Sequence, residues 1–350
     1  MDTIGVGVLG AGYFAQFHYE AWRRINGVRV VGAADQDLVK AQETGAEAFE
    51  AVEPMLEATK PDLLDIATPP PSHAAAVRAA LKAGLRWIIC QKPFCTSLQE
   101  AEQVVDEAER AGATLIIHEN FRFQPWYRAM RAALQADRVG PVRQMTFRLR
   151  PGDGQGPDAY LARQPYFQKM ERFLVHETAV HWIDTFRFLL GQPRAVYADL
   201  RRNNPAIAGE DAGYLILHFD QGVRALFDGN RLLDHPAENP RLTMGEALLE
   251  GDLGALSLSG EGGLALRRFG EREPEFLLQP RHYAGFGGDC VHALQAHVTN
   301  AMRGSGAVEN SGRDYLVVRR IAEAAYLSAK EARKVTLAPD GQVLEGSLGA

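Results

Sequence analysis

The chain has 350 residues, 46% hydrophobic and 23% charged, with 38 Lys plus Arg against 44 Asp plus Glu and a net charge of −6. That length suits two domains, each with its own core. A mildly acidic chain with no long basic run and no apolar stretch of about 18 residues argues against nucleic acid or a membrane as partner.

The N-terminus enters a strand at once, without a basic n-region or apolar h-region, so a cytoplasmic location is expected. Cys90, Cys95 and Cys290 lack ligand-type spacing. They are read as free thiols in a reducing compartment, and no metal site is expected.

The first domain, residues 1–122, reads as alternating strands and helices. An apolar run through Val6, Val8 and Leu9 breaks at Gly10-Ala11-Gly12, and Phe14, Phe17, Ala21 and Ile25 follow at helical spacing. This is strand, tight turn, helix. Gly10 permits the turn, Gly12 leaves room for a pyrophosphate, and Ala15 permits close helix-to-strand packing. The helix N-terminus presents N–H groups and a partial positive charge to phosphates, with Tyr13 and Phe14 beside them. A second strand, Val28 to Ala34, ends in Asp35, placed to accept the ribose hydroxyls of adenosine. Taken alone, the pattern is also that of an ordinary β-turn-α with a helix-capping Asp.

Further strands are expected near Ala46–Phe49 and at Leu63–Ala67, Trp87–Cys90 and Leu115–Ile117, separated by helices. Apolar strands alternating with helices indicate a doubly wound parallel sheet, whose ligands sit beyond the carboxyl ends of the strands. There lie Thr68-Pro69-Pro70-Pro71-Ser72-His73, Gln91-Lys92-Pro93, Glu119 and Asn120. Three prolines stiffen the first of these loops. Pro93 ends its strand and biases Lys92 to extended geometry, leaving an ammonium at the ligand edge.

The second domain, residues 123–350, reads as a helix from about Gln124 to Ala136 and then alternating runs. These are Arg143–Arg150, Ala195–Arg201, Gly213–Phe219, Val223–Asp228 and Ala247–Gly251, with shorter ones at Ala255–Leu258 and Leu264–Arg267. They predict a mostly antiparallel, open-faced sheet through which copies associate as a dimer or tetramer. Residues 151–157 read as a glycine-rich lid. In Glu177-Thr-Ala-Val-His181-Trp-Ile-Asp184 the polar side chains, spaced by about 400° and 700° of helical turn, share one stripe. A histidine between two carboxylates is an acid/base arrangement, although the same stripe also suits a surface helix. A helix from Asp314 to Ala332 closes the pattern.

Together these pieces resemble the Gfo/Idh/MocA family of nicotinamide-dependent oxidoreductases. The resemblance rests on Gly10-Ala-Gly12, Asp35, Thr68-Pro69…His73, Lys92-Pro93, Arg122-Phe123, the His181…Asp184 helix and Glu323-Ala324…Ser328. It implies an N-terminal Rossmann domain, an α+β domain with an open-faced sheet, and oxidation of sugars or polyols. The family lysine falls on Lys92, and its helical Asp-x-x-x-His on Glu177 and His181. Two positions depart from the pattern: Gln91 stands for the usual Glu, and Glu177 for the usual Asp. Phe14-Ala-Gln16, Glu119-Asn-Phe-Arg122 and His176-Glu177 suggest a branch near dehydrogenases of D-apiose-like aldoses.

The mechanism expected from this reading places a sugar or polyol hydroxyl at Lys92 and His181, contributed by separate halves of the chain. His181 takes the proton, Glu177 orients His181, and Lys92 stabilises the alkoxide-like oxygen. Lys92 is the alternative proton acceptor, and Asp184 is either a second orienter or a cap. Expected cofactor contacts are Gly10, Gly12, Tyr13, Phe14, Asp35, Thr68, Pro69, His73, Gln91, Lys92 and Asn120. Expected substrate contacts are Lys92, Arg122, Tyr160, His176, His181 and Tyr283, with Tyr166 and His282 as further candidates. Asp35 favours NAD over NADP, whose 2′-phosphate would meet its charge. Two other readings remain: a glycoside-cleaving enzyme that retains NAD, and a regulator that binds dinucleotide and sugar without turnover.

Overall fold

The computed structural model describes residues 3–344. The chain forms two compact units. One joins the residues up to Asn120 with Asp289–Leu316; the other joins Phe121–Gly288 with the chain from Val317 onward.

The first unit carries β1 (Ile4–Leu9), α1 (Ala15–Arg23), β2 (Val28–Ala34), α2 (Leu38–Glu43), β3 (Ala48–Phe49), α3 (Val52–Thr59), β4 (Leu63–Ile66), α4 (His73–Lys82), β5 (Trp87–Gln91), α5 (Leu98–Arg110) and β6 (Thr114–His118). All strands are parallel, in the order β3-β2-β1-β4-β5-β6. This is the doubly wound arrangement expected from the sequence. The order reverses between β1 and β4, so the crevice that receives a ligand opens beyond their carboxyl ends. β4 is buried throughout, which explains its unbroken apolar pattern apart from Asp65. Helix starts follow local chemistry: Ser97 accepts the Glu100 N–H at 3.1 Å, while Glu100 accepts the Thr96 N–H at 2.9 Å.

The second unit begins with α6 (Pro125–Gln135) and β7 (Val142–Leu149), and continues to α7 (Val180–Leu190). The remaining strands are β8 (Ala195–Arg201), β9 (Ala212–His218), β10 (Arg224–Asn230), β11 (Gly245–Gly251), β12 (Gly254–Leu258), β13 (Leu264–Arg268), β14 (Glu275–Leu278) and β15 (Val335–Thr336). They form one nine-stranded sheet, β14-β13-β12-β11-β7-β10-β9-β8-β15. Every pairing is antiparallel except β7 with β10.

One face of this sheet packs under α7, where Trp182 stacks on Phe147 with ring centroids 4.2 Å apart. The other face is open. On it, register sets Tyr197, Ile216, Leu226, Thr146 and Leu248 in one cross-strand row, which continues through Ser257 and Ala265 to Phe276. Leu248 and Phe276 are 40% and 50% exposed. Charged rows flank it, such as Asp228, Arg148 and Glu246.

Two helices complete the chain, α8 (Phe286–Met302) and α9 (Gly312–Glu331). The expected single boundary at residue 122 is corrected here, because the chain returns to the first unit. Arg24 binds Asp289 at 2.5–2.8 Å, Arg303 donates to the Asn26 carbonyl at 2.7 Å, and the Ile117 N–H donates to the Asn310 carbonyl at 2.9 Å. These contacts draw Asp289–Leu316 onto the nucleotide-fold unit.

Candidate functional site

In the first unit the site residues gather at the carboxyl end of the parallel sheet. Gly10 has φ +107°, and a Cβ there would lie 2.9 Å from the Ala67 carbonyl oxygen. Only glycine makes this turn. A Cβ on Gly12 would meet nothing within 4 Å, so the space above the turn is open. Behind it α1 begins with no acidic residue in its first turn and no side-chain cap. Asp35 closes the turn from β2: its Oδ2 accepts the Ala11 N–H at 2.7 Å and its Oδ1 the Asp37 N–H at 2.9 Å.

The next loop is stiffened by more than its prolines. Thr68 Oγ1 and Ser72 Oγ lie 2.6 Å apart, and Ser72 donates to the Pro69 carbonyl at 2.9 Å. His73 is fully buried. Its Nε2 donates to the Thr68 carbonyl at 2.7 Å, and its Nδ1 accepts the Cys95 N–H at 3.4 Å. His73 thus ties the loop after β4 to the loop after β5, which is a structural role rather than the cofactor contact expected. Asn120 is likewise buried, and its Nδ2 donates to Cys290 Sγ at 3.1 Å. Burial drives the Cys90 and Cys290 thiols well above their ordinary pKa, so both are packing groups.

Lys92 follows β5. Its main-chain N–H donates to Gln91 Oε1 at 2.8 Å, and Gln91 Nε2 lies 3.0 Å from His18 Nε2. His18 Nδ1 lies 2.8 Å from Asp65 Oδ2, which also accepts Trp22 Nε1–H at 2.7 Å. Burial works to raise the Asp65 carboxyl, and its interactions with His18 and Trp22 outweigh this and hold it below the usual carboxylate range.

In the second unit the acid/base stripe lies on a helix of two kinds. Residues Leu174–Ala179 form a π-helix that runs into α7, where one continuous α-helix was expected. Such widened turns recur at functional sites. Glu210 secures its start, accepting the Phe173 and Val175 N–H groups at 3.1 Å each and the Tyr326 hydroxyl at 2.6 Å. Glu177 and His181 are 7% and 6% exposed. The His181 ring lies flat against Phe121, with centroids 3.8 Å apart and planes 8° from parallel. This stacking fixes the plane of the imidazole. Partial burial and then the charge of Glu177 raise the Tyr166 phenol above its ordinary value, which puts Tyr166 within electrostatic reach of Glu177.

Two expected substrate contacts are reassigned. Arg122 forms a bidentate pair with Asp184, Nε to Oδ2 at 2.8 Å and Nη2 to Oδ1 at 2.5 Å, with Asp184 fully buried. Both groups serve the core, and Asp184 is an anchor for Arg122. Tyr160 is 5% exposed; its hydroxyl accepts from Arg231 Nε at 2.7 Å and bonds Asp153 at 3.2 Å. Arg231 also donates to Thr178 at 2.6 Å, so this cluster fastens the loop at 151–157 to the π-helix. Tyr283 is half-buried, and its hydroxyl has no hydrogen-bond partner among the described residues.

The cluster gives a pH prediction. Burial works to raise the Asp153 carboxyl, and the charges of Arg231 and Arg163 outweigh it and hold it below the ordinary range. A depressed folded-state value stabilises the fold above the unfolded pKa of about 3.9, and the contribution is lost as pH falls through the folded value. Asp153→Asn should therefore flatten the fall of Tm below about pH 4. Melts of both proteins across that range check it, and parallel acid limbs would refute it.

Residues 4–119 match the model described as an oxidoreductase family with an NAD-binding Rossmann fold, and residues 127–254 match that of the GFO/IDH/MocA C-terminal domain. A D-apiose dehydrogenase of Paraburkholderia graminis is 34% identical over 94% of this chain and 88% of its own length. The chain belongs to the Gfo/Idh/MocA family. An inositol 2-dehydrogenase of Rhizobium meliloti is another relative, 24% identical over 96% of this chain and all of its own length. Among solved structures, an Agrobacterium radiobacter oxidoreductase in complex with NAD⁺, L-tartaric acid and magnesium is 28% identical. It superposes with a TM-score of 0.85 over 95% of this chain and 98% of that one.

The chain's own residues fit the dinucleotide that the family binds. The open space above Gly12, the uncapped start of α1 and the carboxylate of Asp35 provide room, N–H groups and a hydroxyl acceptor in the usual order. Among the described residues no group of three His, Cys, Asp or Glu is arranged to hold a metal. The sequence did not reveal His18 as the partner of Gln91 or Asp65 as the partner of His18, nor Glu210 and Arg231 as anchors of the π-helix. The buried acid inside the apolar run Leu63-Leu64-Asp65-Ile66 was the one visible signal.

Proposed function

We propose that this protein is an NAD-dependent dehydrogenase of a sugar or polyol, with D-apiose-like aldoses the first class to test. The observation that carries this reading is similarity to a D-apiose dehydrogenase along nearly the whole chain, with Lys92 and His181 present at the expected positions. NAD, when bound, accepts the hydride. Lys92 provides a fixed positive charge for the oxygen that gains negative charge, and His181 takes its proton. Glu177 holds the imidazolium, while Phe121 keeps the ring in plane. Tyr283 and His176 are candidates for the remaining hydroxyls.

The test is a screen of aldoses, polyols and inositols with NAD⁺ and NADP⁺, read as NADH or NADPH absorbance. Turnover of an aldose with NAD⁺ preferred is expected. Glycoside cleavage without net NADH, or binding without turnover, would overturn it.

The open sheet face is proposed to bind a second copy of the chain, giving a dimer or tetramer. The row from Tyr197 to Phe276 offers apolar side chains between charged ones, a self-complementary arrangement. Leu248→Glu is expected to shift the mass by light scattering toward the 38.5 kDa of one chain. An unchanged mass would exclude this face.

A further inference from the structure

We infer that Gln91 is a positioning residue for Lys92, and that it acts by fixing the proton of buried His18 on Nδ1. The inference rests on the reading of Lys92 as the group that polarises the substrate hydroxyl.

Donor and acceptor chemistry carries the argument. A main-chain N–H can only donate, and that of Lys92 meets a Gln91 side-chain atom at 2.8 Å. That atom must be the carbonyl Oε1. The other end of the amide is then Nε2, which can only donate, and it lies 3.0 Å from His18 Nε2. His18 Nε2 is therefore bare. The single ring proton sits on Nδ1 and is given to Asp65 Oδ2 at 2.8 Å. The bonds thus run in two donating steps, Gln91 to His18 and His18 to Asp65, with Gln91 Oε1 receiving Lys92. His18 and Asp65 are fully buried and Gln91 is 8% exposed, so an unmade bond would leave a polar group without water.

Other groups also face His18. The His118 ring lies with its centroid 4.2 Å away, Phe14 meets it edge-on at 5.7 Å, and Gln295 Nε2 lies 3.4 Å from both the His18 carbonyl and Asp65 Oδ2. Of these contacts only Asp65 and His118 titrate. A glutamate at position 91 would accept at both ends. It would still receive the Lys92 N–H, but it would need a proton on His18 Nε2 as well as on Nδ1. A carboxylate oxygen would then face the bare lone pair of His18 Nε2 in place of the amide N–H that meets it now.

The test compares the NAD-bound wild type with Gln91→Glu and Gln91→Leu. In ¹⁵N-histidine NMR of the wild type at neutral pH, assigned through His18→Gln, His18 should carry its proton on Nδ1 alone. Gln91→Glu, which has no N–H to give His18 Nε2, should lose about tenfold in kcat. Gln91→Leu should lose about 10- to 100-fold in kcat, with KM for the sugar little changed. A Gln91→Glu kcat equal to that of the wild type, or a wild-type His18 protonated on Nε2, would overturn the inference. The NMR arm needs no turnover and judges the proton even if a variant fails to fold. Full activity in Lys92→Ala would instead remove the reading of Lys92.

Discussion

Lys92→Ala is expected to lower kcat/KM for the sugar by about 10³-fold, near the effect of deleting one oxyanion-stabilising donor. Oxidation of an alcohol passes through an oxygen that gains negative charge as its proton and hydride leave. Lys92 is the cation that the loop after β5 carries, and its main chain is held by Gln91 at 2.8 Å. The loss should appear mainly in kcat, because the charge is needed most in the transition state. Lys92→Met separates charge from bulk and should behave like alanine, whereas Lys92→Arg should retain part of the rate. His181→Ala should cost about 10²- to 10⁴-fold by removing the base. The double variant should be little worse than either single one, since groups acting on one proton and one oxygen are not additive. Steady-state kinetics on the wild type and these five variants decides it, and a Lys92→Ala rate within about threefold of wild type would defeat the assignment.

Asp184→Ala is expected to destabilise the protein by about 3–5 kcal/mol, a fall in Tm on the order of 10 °C. Asp184 is fully buried and takes both teeth of the Arg122 fork, and Arg187 Nη1 lies 3.9 Å from the same carboxylate. Removing it takes one carboxylate away from two buried guanidinium groups. Arg122 also lies over the Phe188 ring at 5.5 Å and is the neighbour of Phe121, on which His181 stacks. Activity should therefore fall with stability. Asp184→Met combined with Arg122→Met should recover most of the stability, because a buried pair replaced by apolar side chains is close to neutral. Thermal melts of the single and double variants check this; a single variant within about 1 kcal/mol of wild type would refute it.

The parallel sheet was legible because its strands are short apolar runs between helix caps and glycines. Asp35 was legible because β2 ends there by composition alone. The partners of Arg122 and Tyr160 were not, since Asp184 and Arg231 stand 62 and 71 residues away and a lone polar residue does not name its partner. The π-helix was hidden for another reason: one widened turn in six residues leaves too little periodicity to tell it from α. Helix α8 was not foreseen, although Val291, Leu294 and Val298 stand at helical spacing, because two glycines lie in its first turn. Its packing on the first unit depends on Arg24, Asn26 and Asp65, which sequence order does not reveal.

The return of Asp289–Leu316 to the nucleotide-fold unit bears on how this enzyme can be dissected or recombined. A fragment cut after Asn120 would leave Asp65 without Gln295, Arg24 without Asp289 and the edge of β6 without its Asn310 contact. Swapping cofactor modules between relatives therefore requires grafting two stretches of chain, and a chimera joined only at the first crossover would carry a mismatched helix against its new sheet.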